Sequence, residues 1–283
     1  MTSPVYYVDG RFVPADQATL PLGDLAIMRG YGIFDFLRTY RRVPFKLREH
    51  VLRLYSSAEQ IGLAMPWSVG EVEAIVHETN DRNGYDDAAI RIVVTGGPSP
   101  DLMMPGQQPR LAVMAEPIST PPERQYAQGV GVTTTRMARI LPTVKSLNYL
   151  GAILAVVEAR KIGAVEAIYR TPDDHVTEGT RSNLFIFRTG KLLTPESGIL
   201  PGITRQVVLE VAAREYPVVL TDLTYADLLG ADEVFITSTT KEIVPVVKVD
   251  GQVVGGGRPG ECTQDLMERF KAYVDGCLTE AVA

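Results

Sequence analysis

The chain predicts an α+β protein of two domains, and three observations lead there. Its 283 residues suffice for two domains of ordinary size. Hydrophobic residues make up 45% and charged residues 22%, a globular balance, with strand-like and helix-like runs mixed along the chain. Between Glu116 and Gln128 lie three prolines, several polar residues and little apolar periodicity, the best linker candidate. The expected division is a small N-terminal α+β domain over 1–117, a linker over 118–129 and a large C-terminal domain over 130–283.

In the first domain, Val5–Val8, Asp9-Gly10 and Arg11–Val13 read as a hairpin with a type I′ turn. A strand is expected over Ile33–Tyr40. Val51, Leu54, Tyr55, Ala58 and Ile61 fall at helical spacing within 47–63. Ser68-Val69-Gly70-Glu71 is a capping-box pattern opening a helix to about Asn80. Strands follow over Ala88–Thr95, stopped by Gly96-Gly97-Pro98, and over Leu111–Ala115. In the second domain, strands are expected at 130–135, 165–170, 183–188, 191–194, 217–220, 232–237 and 243–249, and helices at 148–162, 203–215 and 262–279.

Composition also narrows function. A net charge of −6 without any Lys/Arg run builds no nucleic-acid surface. Cys262 and Cys277 match neither a zinc spacing nor a disulfide framework, so no metal is expected and a reducing cytoplasm is the simplest compartment. Met1-Thr2-Ser3-Pro4 leads directly into strand-like sequence, so no signal peptide is expected. No apolar run approaches membrane-spanning length.

Two segments carry the chemistry. Pro142-Thr143-Val144-Lys145-Ser146-Leu147-Asn148-Tyr149-Leu150 sets a lysine between apolar neighbours in a loop that feeds a helix. A lysine at a helix entrance is ordinarily solvated. Burial would lower its pKa and favour the neutral amine that forms a Schiff base with an aldehyde cofactor. Thirty-three residues later comes Thr177-Glu178-Gly179-Thr180-Arg181-Ser182-Asn183-Leu184-Phe185. A carboxylate such as Glu178 is ordinary in a turn, yet it is also the group that keeps a pyridine nitrogen protonated. Three further segments suit an anion: His50-Val51-Leu52-Arg53-Leu54 on a helix, Gly202-Ile203-Thr204-Arg205 at a helix start, and Thr237-Ser238-Thr239-Thr240-Lys241-Glu242. Alone, Arg53 would be read as a helix-face partner of Glu49 or Asp81, and 237–242 as a polar turn.

In chain order, with Arg53, Lys145, Glu178, Ile203-Thr204 and Ser238-Thr239 in succession, the five segments resemble those of the class IV (fold type IV) pyridoxal-phosphate enzymes, and the resemblance covers nearly the whole chain. That group includes D-amino-acid aminotransferases, branched-chain aminotransferases and aminodeoxychorismate lyases. The resemblance implies a small α+β domain, a larger pseudo-barrel domain carrying the Schiff-base lysine, and pyridoxal 5′-phosphate between them. It implies Lys145 as the catalytic lysine, Glu178 at the ring nitrogen, and Arg53, Ile203, Thr204, Ser238 and Thr239 at the phosphate. It also implies a homodimer in which the loop around Arg29–Tyr31 reaches the neighbour's active site, and a ping-pong exchange between amino acids and 2-oxo acids.

Four steps from Lys145 to Tyr149 resemble the D-amino-acid enzymes; the branched-chain enzymes usually have five. Asp35 and Phe36 stand where the branched-chain pattern has Glu and Gly, and Phe36 should narrow the pocket. The well-studied D-enzymes trap the substrate carboxylate with Arg and His in the loop after a strand, but here Asp101 and Met103 occupy those positions. Three arginines are left as candidates: Arg29, Arg91 and Arg181. They resemble those of a less common, arginine-rich subgroup of D-amino-acid aminotransferases. Arg181, inside the Glu178 segment, is the favoured one; Arg91 could equally pair with a structural acid and Arg29 with an interface acid. Tyr31, Phe34 and Thr240 complete the expected substrate set. The expectation is transfer between a D-amino acid and a 2-oxo acid such as 2-oxoglutarate or pyruvate. A branched-chain L-aminotransferase, an (R)-amine transaminase with Phe34 and Phe36 in its pocket, and an aminodeoxychorismate-type lyase remain as alternatives.

Overall fold

The computed structural model describes residues 3–282. The chain divides into two compact units, Met1–Ser119 with Val144–Asn148, and Thr120–Thr143 with Tyr149–Ala283.

The first unit holds β1 (Val5–Val8), β2 (Arg11–Pro14), α1 (Leu25–Arg29), β3 (Gly32–Tyr40), β4 (Val43–Pro44), α2 (Leu47–Gln60), α3 (Val69–Asn83), β5 (Ala88–Thr95) and β6 (Arg110–Pro117). The strands form one sheet in the order β2-β1-β6-β5-β3-β4. Asp9 and Gly10 both have positive φ, 45° and 88°, as a type I′ turn requires. Along β5 the side chains of Ala88, Ile90, Ile92 and Val94 are buried while Arg91 is exposed, the period of two expected of a strand with one covered face. Val51 and Leu54 of α2 and Val72 and Val76 of α3 join that core. Ser68 and Glu71 make the reciprocal capping box, and Gly84 closes α3 in the left-handed conformation. Such an N-cap contributes about 1 kcal/mol.

The second unit holds α4 (Glu123–Gln128), β7 (Val130–Arg136), α5 (Leu150–Lys161), β8 (Glu166–Arg170), β9 (His175–Gly179), β10 (Asn183–Arg188), β11 (Lys191–Thr194), α6 (Ile203–Ala212), β12 (Val218–Leu220), β13 (Leu223–Thr224), α7 (Tyr225–Leu229), β14 (Glu233–Ser238), β15 (Glu242–Val249), β16 (Gln252–Val253) and α8 (Glu261–Val282). Its sheet runs β12-β11-β10-β14-β15-β7-β8-β9-β13, and an additional β9–β10 pairing joins β10, β14, β15, β7, β8 and β9 into a ring. This is the pseudo-barrel. Its closing pair is Glu178 opposite Asn183. Leu184–Phe187 of β10 is buried without alternation, and so are Val234–Ile236 and Ile243–Val247, where α6 and α8 cover β14 and α8 covers β15. Phe185 and Phe235 stack at 4.8 Å within that layer.

Two boundaries differ from the sequence-based expectation. The segment expected as a linker contains α4, which belongs to the second unit. The run bearing Lys145, expected in the large C-terminal domain, is grouped instead with the first. The cause is an open edge. β4 pairs only with Thr39 and Tyr40, so the first half of β3 has unpaired backbone on that side. Val144–Asn148 satisfies it: Ser146 bridges to Ile33, Phe34 N–H donates to the Lys145 carbonyl at 2.9 Å, and Leu147 N–H donates to the Gly32 carbonyl at 3.0 Å. Gly32 permits the approach, since a Cβ there would lie 2.7 Å from Leu147 Cδ1 and 2.8 Å from the Val94 carbonyl oxygen.

Candidate active site

In the first unit, the Lys145 backbone is held on both sides, its N–H donating to Ser57 Oγ at 3.1 Å and its carbonyl accepting from Phe34. The preceding Val144 is fully buried and anchors the run. Lys145 itself is half-buried, its Nζ 4.7 Å from the centre of the Phe34 ring. Arg91 shares that ring: its guanidinium carbon lies 5.5 Å from Phe34 and 5.4 Å from Phe36. The registers Phe34↔Val93 and Phe36↔Arg91 put the two rings on one face of the sheet, beside Arg91. The arginine expected either at substrate or in a structural ion pair is therefore stacked on aromatics beside Lys145.

On the opposite face of β3, Asp35 is fully buried. Its carboxylate takes Arg53 Nε at 2.9 Å on one oxygen, and Arg53 Nη2 at 2.8 Å and His50 Nδ1 at 2.6 Å on the other. Burial favours the neutral acid, but Arg53 and His50 overcome it and hold the Asp35 carboxyl far below the usual carboxylate range. Burial likewise pushes His50 down, against the pull of Asp35. Arg53 thus pairs with Asp35, not with Glu49 or Asp81. The motif points to Arg53 but not to the acid that orients its fork.

Arg29 ends α1, exposed, with Nη1 on the Met28 carbonyl at 2.9 Å. The Tyr31 hydroxyl, expected at substrate, donates to the Ile61 carbonyl at 3.0 Å, and burial raises its pKa. Asp101 serves its own loop, accepting from Met103 N–H at 2.9 Å and Met104 N–H at 2.8 Å.

In the second unit, Glu178 is buried at the barrel closure. Its Oε1 accepts from Arg139 Nη1 at 2.7 Å; its Oε2 accepts from Leu200 N–H at 2.9 Å and Asn183 Nδ2 at 3.4 Å. The same Arg139 nitrogen reaches the Pro142 carbonyl at 3.1 Å, three residues before Lys145. Arg139 has no motif around it, and sequence reasoning missed it. It supplies the countercharge that makes a buried carboxylate tolerable.

Gly202 precedes α6 with no side chain capping the helix start. A Cβ on Gly202 would lie 2.0 Å from Asn183 Oδ1, so only glycine lets this turn approach the closing pair. Ile203 and Thr204 are buried in the first helical turn. Ser238 ends β14, and Thr239 and Thr240 form the half-buried turn into β15. Ser238 Oγ accepts from Lys241 N–H at 3.3 Å, leaving its own proton to donate. Two buried hydroxyls, Ser182 Oγ and Thr237 Oγ1, have no hydrogen-bond partner among the described residues. Arg181 is exposed, and its backbone N–H donates to Glu166. Among the described residues, no cluster of three or more His, Cys, Asp or Glu is placed to hold a metal, and no helix is long and apolar enough to cross a membrane.

The family model for amino-transferase class IV matches residues 32–249. The chain belongs to this family. It is 37% identical over 279 residues to the D-alanine aminotransferase of Listeria monocytogenes serotype 4b, covering 95% of this chain and 96% of that one. It is 38% identical over 273 residues to a Methanocaldococcus jannaschii protein provisionally named a branched-chain-amino-acid aminotransferase, covering 94% of each chain. Among solved structures, the Escherichia coli branched-chain amino acid aminotransferase superposes with a TM-score of 0.91 at 29% identity, over 96% of this chain and 94% of that one. The T.th. branched-chain amino acid aminotransferase, solved with pyridoxamine 5′-phosphate, gives 0.89 at 30% identity over 98% and 95%. The fold is therefore fold type IV. Class IV aminotransferases use pyridoxal 5′-phosphate, and within the second unit the uncapped helix start after Gly202 and the buried Ser182 and Thr237 hydroxyls, without a hydrogen-bond partner among the described residues, suit an anionic group.

Proposed function

We propose that this aminotransferase moves an amino group between a D-amino acid and a 2-oxo acid, 2-oxoglutarate or pyruvate. The observation that carries the reading is Arg91 on the Phe34–Phe36 pair, beside Lys145 Nζ. A guanidinium there answers the missing Arg–His trap and favours substrates bearing a carboxylate. The four-step spacing from Lys145 to Tyr149 and the bulk of Phe36 favour the D-series. The branched-chain L-reading is the second one, supported by the Methanocaldococcus jannaschii relative and the Escherichia coli structure. Half-reactions with D- and L-amino acids, followed by cofactor absorbance, decide between them. Reaction with L-leucine and none with D-amino acids would sink the first reading.

When bound, pyridoxal phosphate supplies an aldehyde that takes the amino group and a ring that accepts the electrons of the substrate's α-carbon. Lys145 Nζ would attach the cofactor and then move the α-proton as general acid–base. Glu178, paired with Arg139 at 2.7 Å, would hold a proton on the ring nitrogen. Arg53, the α6 backbone at Ile203 and Thr204, and the hydroxyls of Ser238 and Thr239 would bind the phosphate. Phe34 would shield Lys145 Nζ from water on one side.

Arg53→Ala is expected to weaken pyridoxal-phosphate retention and also to destabilise the fold. It takes the guanidinium from the buried Asp35 carboxylate and leaves only the His50 contact of those described above, a loss of up to about 3–5 kcal/mol for a broken buried pair. Dialysis and a urea melt measure the two effects; equal cofactor loss from wild type and variant would count against the phosphate role.

Arg181, with Arg29 or Arg91, would hold the second carboxylate of dicarboxylic substrates. Arg181→Ala should raise KM for D-glutamate and 2-oxoglutarate by about tenfold or more, the loss of a carboxylate–guanidinium contact, and spare amines without a carboxylate. Unchanged KM for both would make Arg181 structural.

The protein would act as a homodimer in the cytoplasm. Leu150, Ile153, Leu154 and Val157 leave an exposed apolar stripe along α5 that a second copy would cover. Both cysteines are free, as a reducing compartment would keep them.

A further inference from the structure

We propose that the buried ion pair of Glu166 and Lys241 is a positioning strut. It would tie the turn that carries Arg181 to the turn that carries Ser238 and Thr239. The proposal rests on the roles given above to those three residues.

Glu166 opens β8 and is fully buried. Its Oε1 accepts the Arg181 backbone N–H and the Thr180 hydroxyl, the latter at 3.2 Å. Its Oε2 lies 2.9 Å from Lys241 Nζ. The 179–182 turn is folded down on the carboxylate, for a Cβ on Gly179 would lie 2.8 Å from Glu166 Oε1 and 2.3 Å from Ser182 Oγ. On the other side, Lys241 closes the second turn through its own backbone, its N–H donating to the Ser238 carbonyl at 3.1 Å and to Ser238 Oγ at 3.3 Å. One carboxylate therefore fixes the backbone under Arg181 and, through one ammonium, the backbone beside Ser238 and Thr239. Buried ion pairs add little stability over apolar replacements of similar volume. What this pair supplies is the relative placement of two turns. Anion binding at Ser238–Thr239 and carboxylate selection at Arg181 would then depend on one another.

The test is amide hydrogen exchange by mass spectrometry on the cofactor-free chain, together with steady-state kinetics of the loaded enzyme. In wild type, the Arg181 amide and the Lys241 amide should show protection within about tenfold of each other; a gap of about a hundredfold or more would overturn the strut. Glu166→Gln/Lys241→Met removes both charges and leaves neither stranded. That double variant should melt near wild type, yet exchange about tenfold faster in both turns. Its KM for dicarboxylic substrates should rise about tenfold while kcat stays within about twofold, and it should release pyridoxal phosphate faster. A stable double variant with wild-type exchange in either turn would overturn the proposal. If the exchange accelerates but Arg181→Ala leaves dicarboxylate KM unchanged, the strut stands and the substrate role of Arg181 falls.

Discussion

Lys145→Ala is expected to abolish transamination and leave a folded chain that still binds pyridoxal phosphate. The amine is the group that would both attach the cofactor and carry the α-proton. Loss of the general acid–base function alone costs about 10²–10⁴ in rate. The fold should tolerate the change. The backbone bonds of Lys145 to Ser57 and Phe34 do not involve its side chain, and Val144 remains as the buried anchor. Loss of the Lys145 cation from the Phe34 face costs about 0.5–1 kcal/mol at a partly exposed site. Arg91 keeps its place near the same ring. Borohydride reduction of wild type followed by peptide mapping gives the second readout and should mark Lys145. Full activity in the variant, or a mark on another lysine, would remove Lys145 from the centre of the mechanism.

Much of the scaffold is legible in the sequence because it is written in local patterns. The alternation of Ala88–Val94, the apolar runs of 183–188 and 243–249, the Asp9-Gly10 turn and the Ser68–Glu71 capping box all carry their structure within a few residues. His175–Gly179 does not read as a strand, since polar residues dominate it and its pairing comes from β8, β10 and β13. α4 is hidden behind two prolines. The motifs locate Lys145 and Glu178, but not the residues that hold their surroundings. Arg139 reaches Glu178 across 39 positions, Asp35 meets Arg53 across 18, and no spacing announces such pairs. Lys145 falls on the other side of the chain's division for the same reason. Nothing in Val144–Asn148 reveals that a vacant edge of β3 will receive it.

Glu178→Gln should slow the half-reaction far more than it weakens cofactor binding. The amide has nearly the same shape, so Leu200 N–H and Asn183 can still meet an oxygen at that position. It carries no charge, however, and cannot hold a proton on the ring nitrogen. A charge-assisted hydrogen bond is worth about 1.5–3 kcal/mol, which alone corresponds to about 10- to 100-fold. The expected loss is greater, because an unprotonated ring is a poorer acceptor for the α-carbon's electrons. A second consequence separates this role from a structural one. Arg139 would lose its countercharge, and a broken buried pair costs up to about 3–5 kcal/mol of stability. Arg139→Met should share that loss of stability and yet keep a carboxylate at position 178. If Glu178 acts through its charge on the ring, Glu178→Gln and Arg139→Met will be similar in melting but far apart in the rate of α-proton removal. Wild-type rates of α-proton removal in Glu178→Gln would show that some other group holds the ring nitrogen.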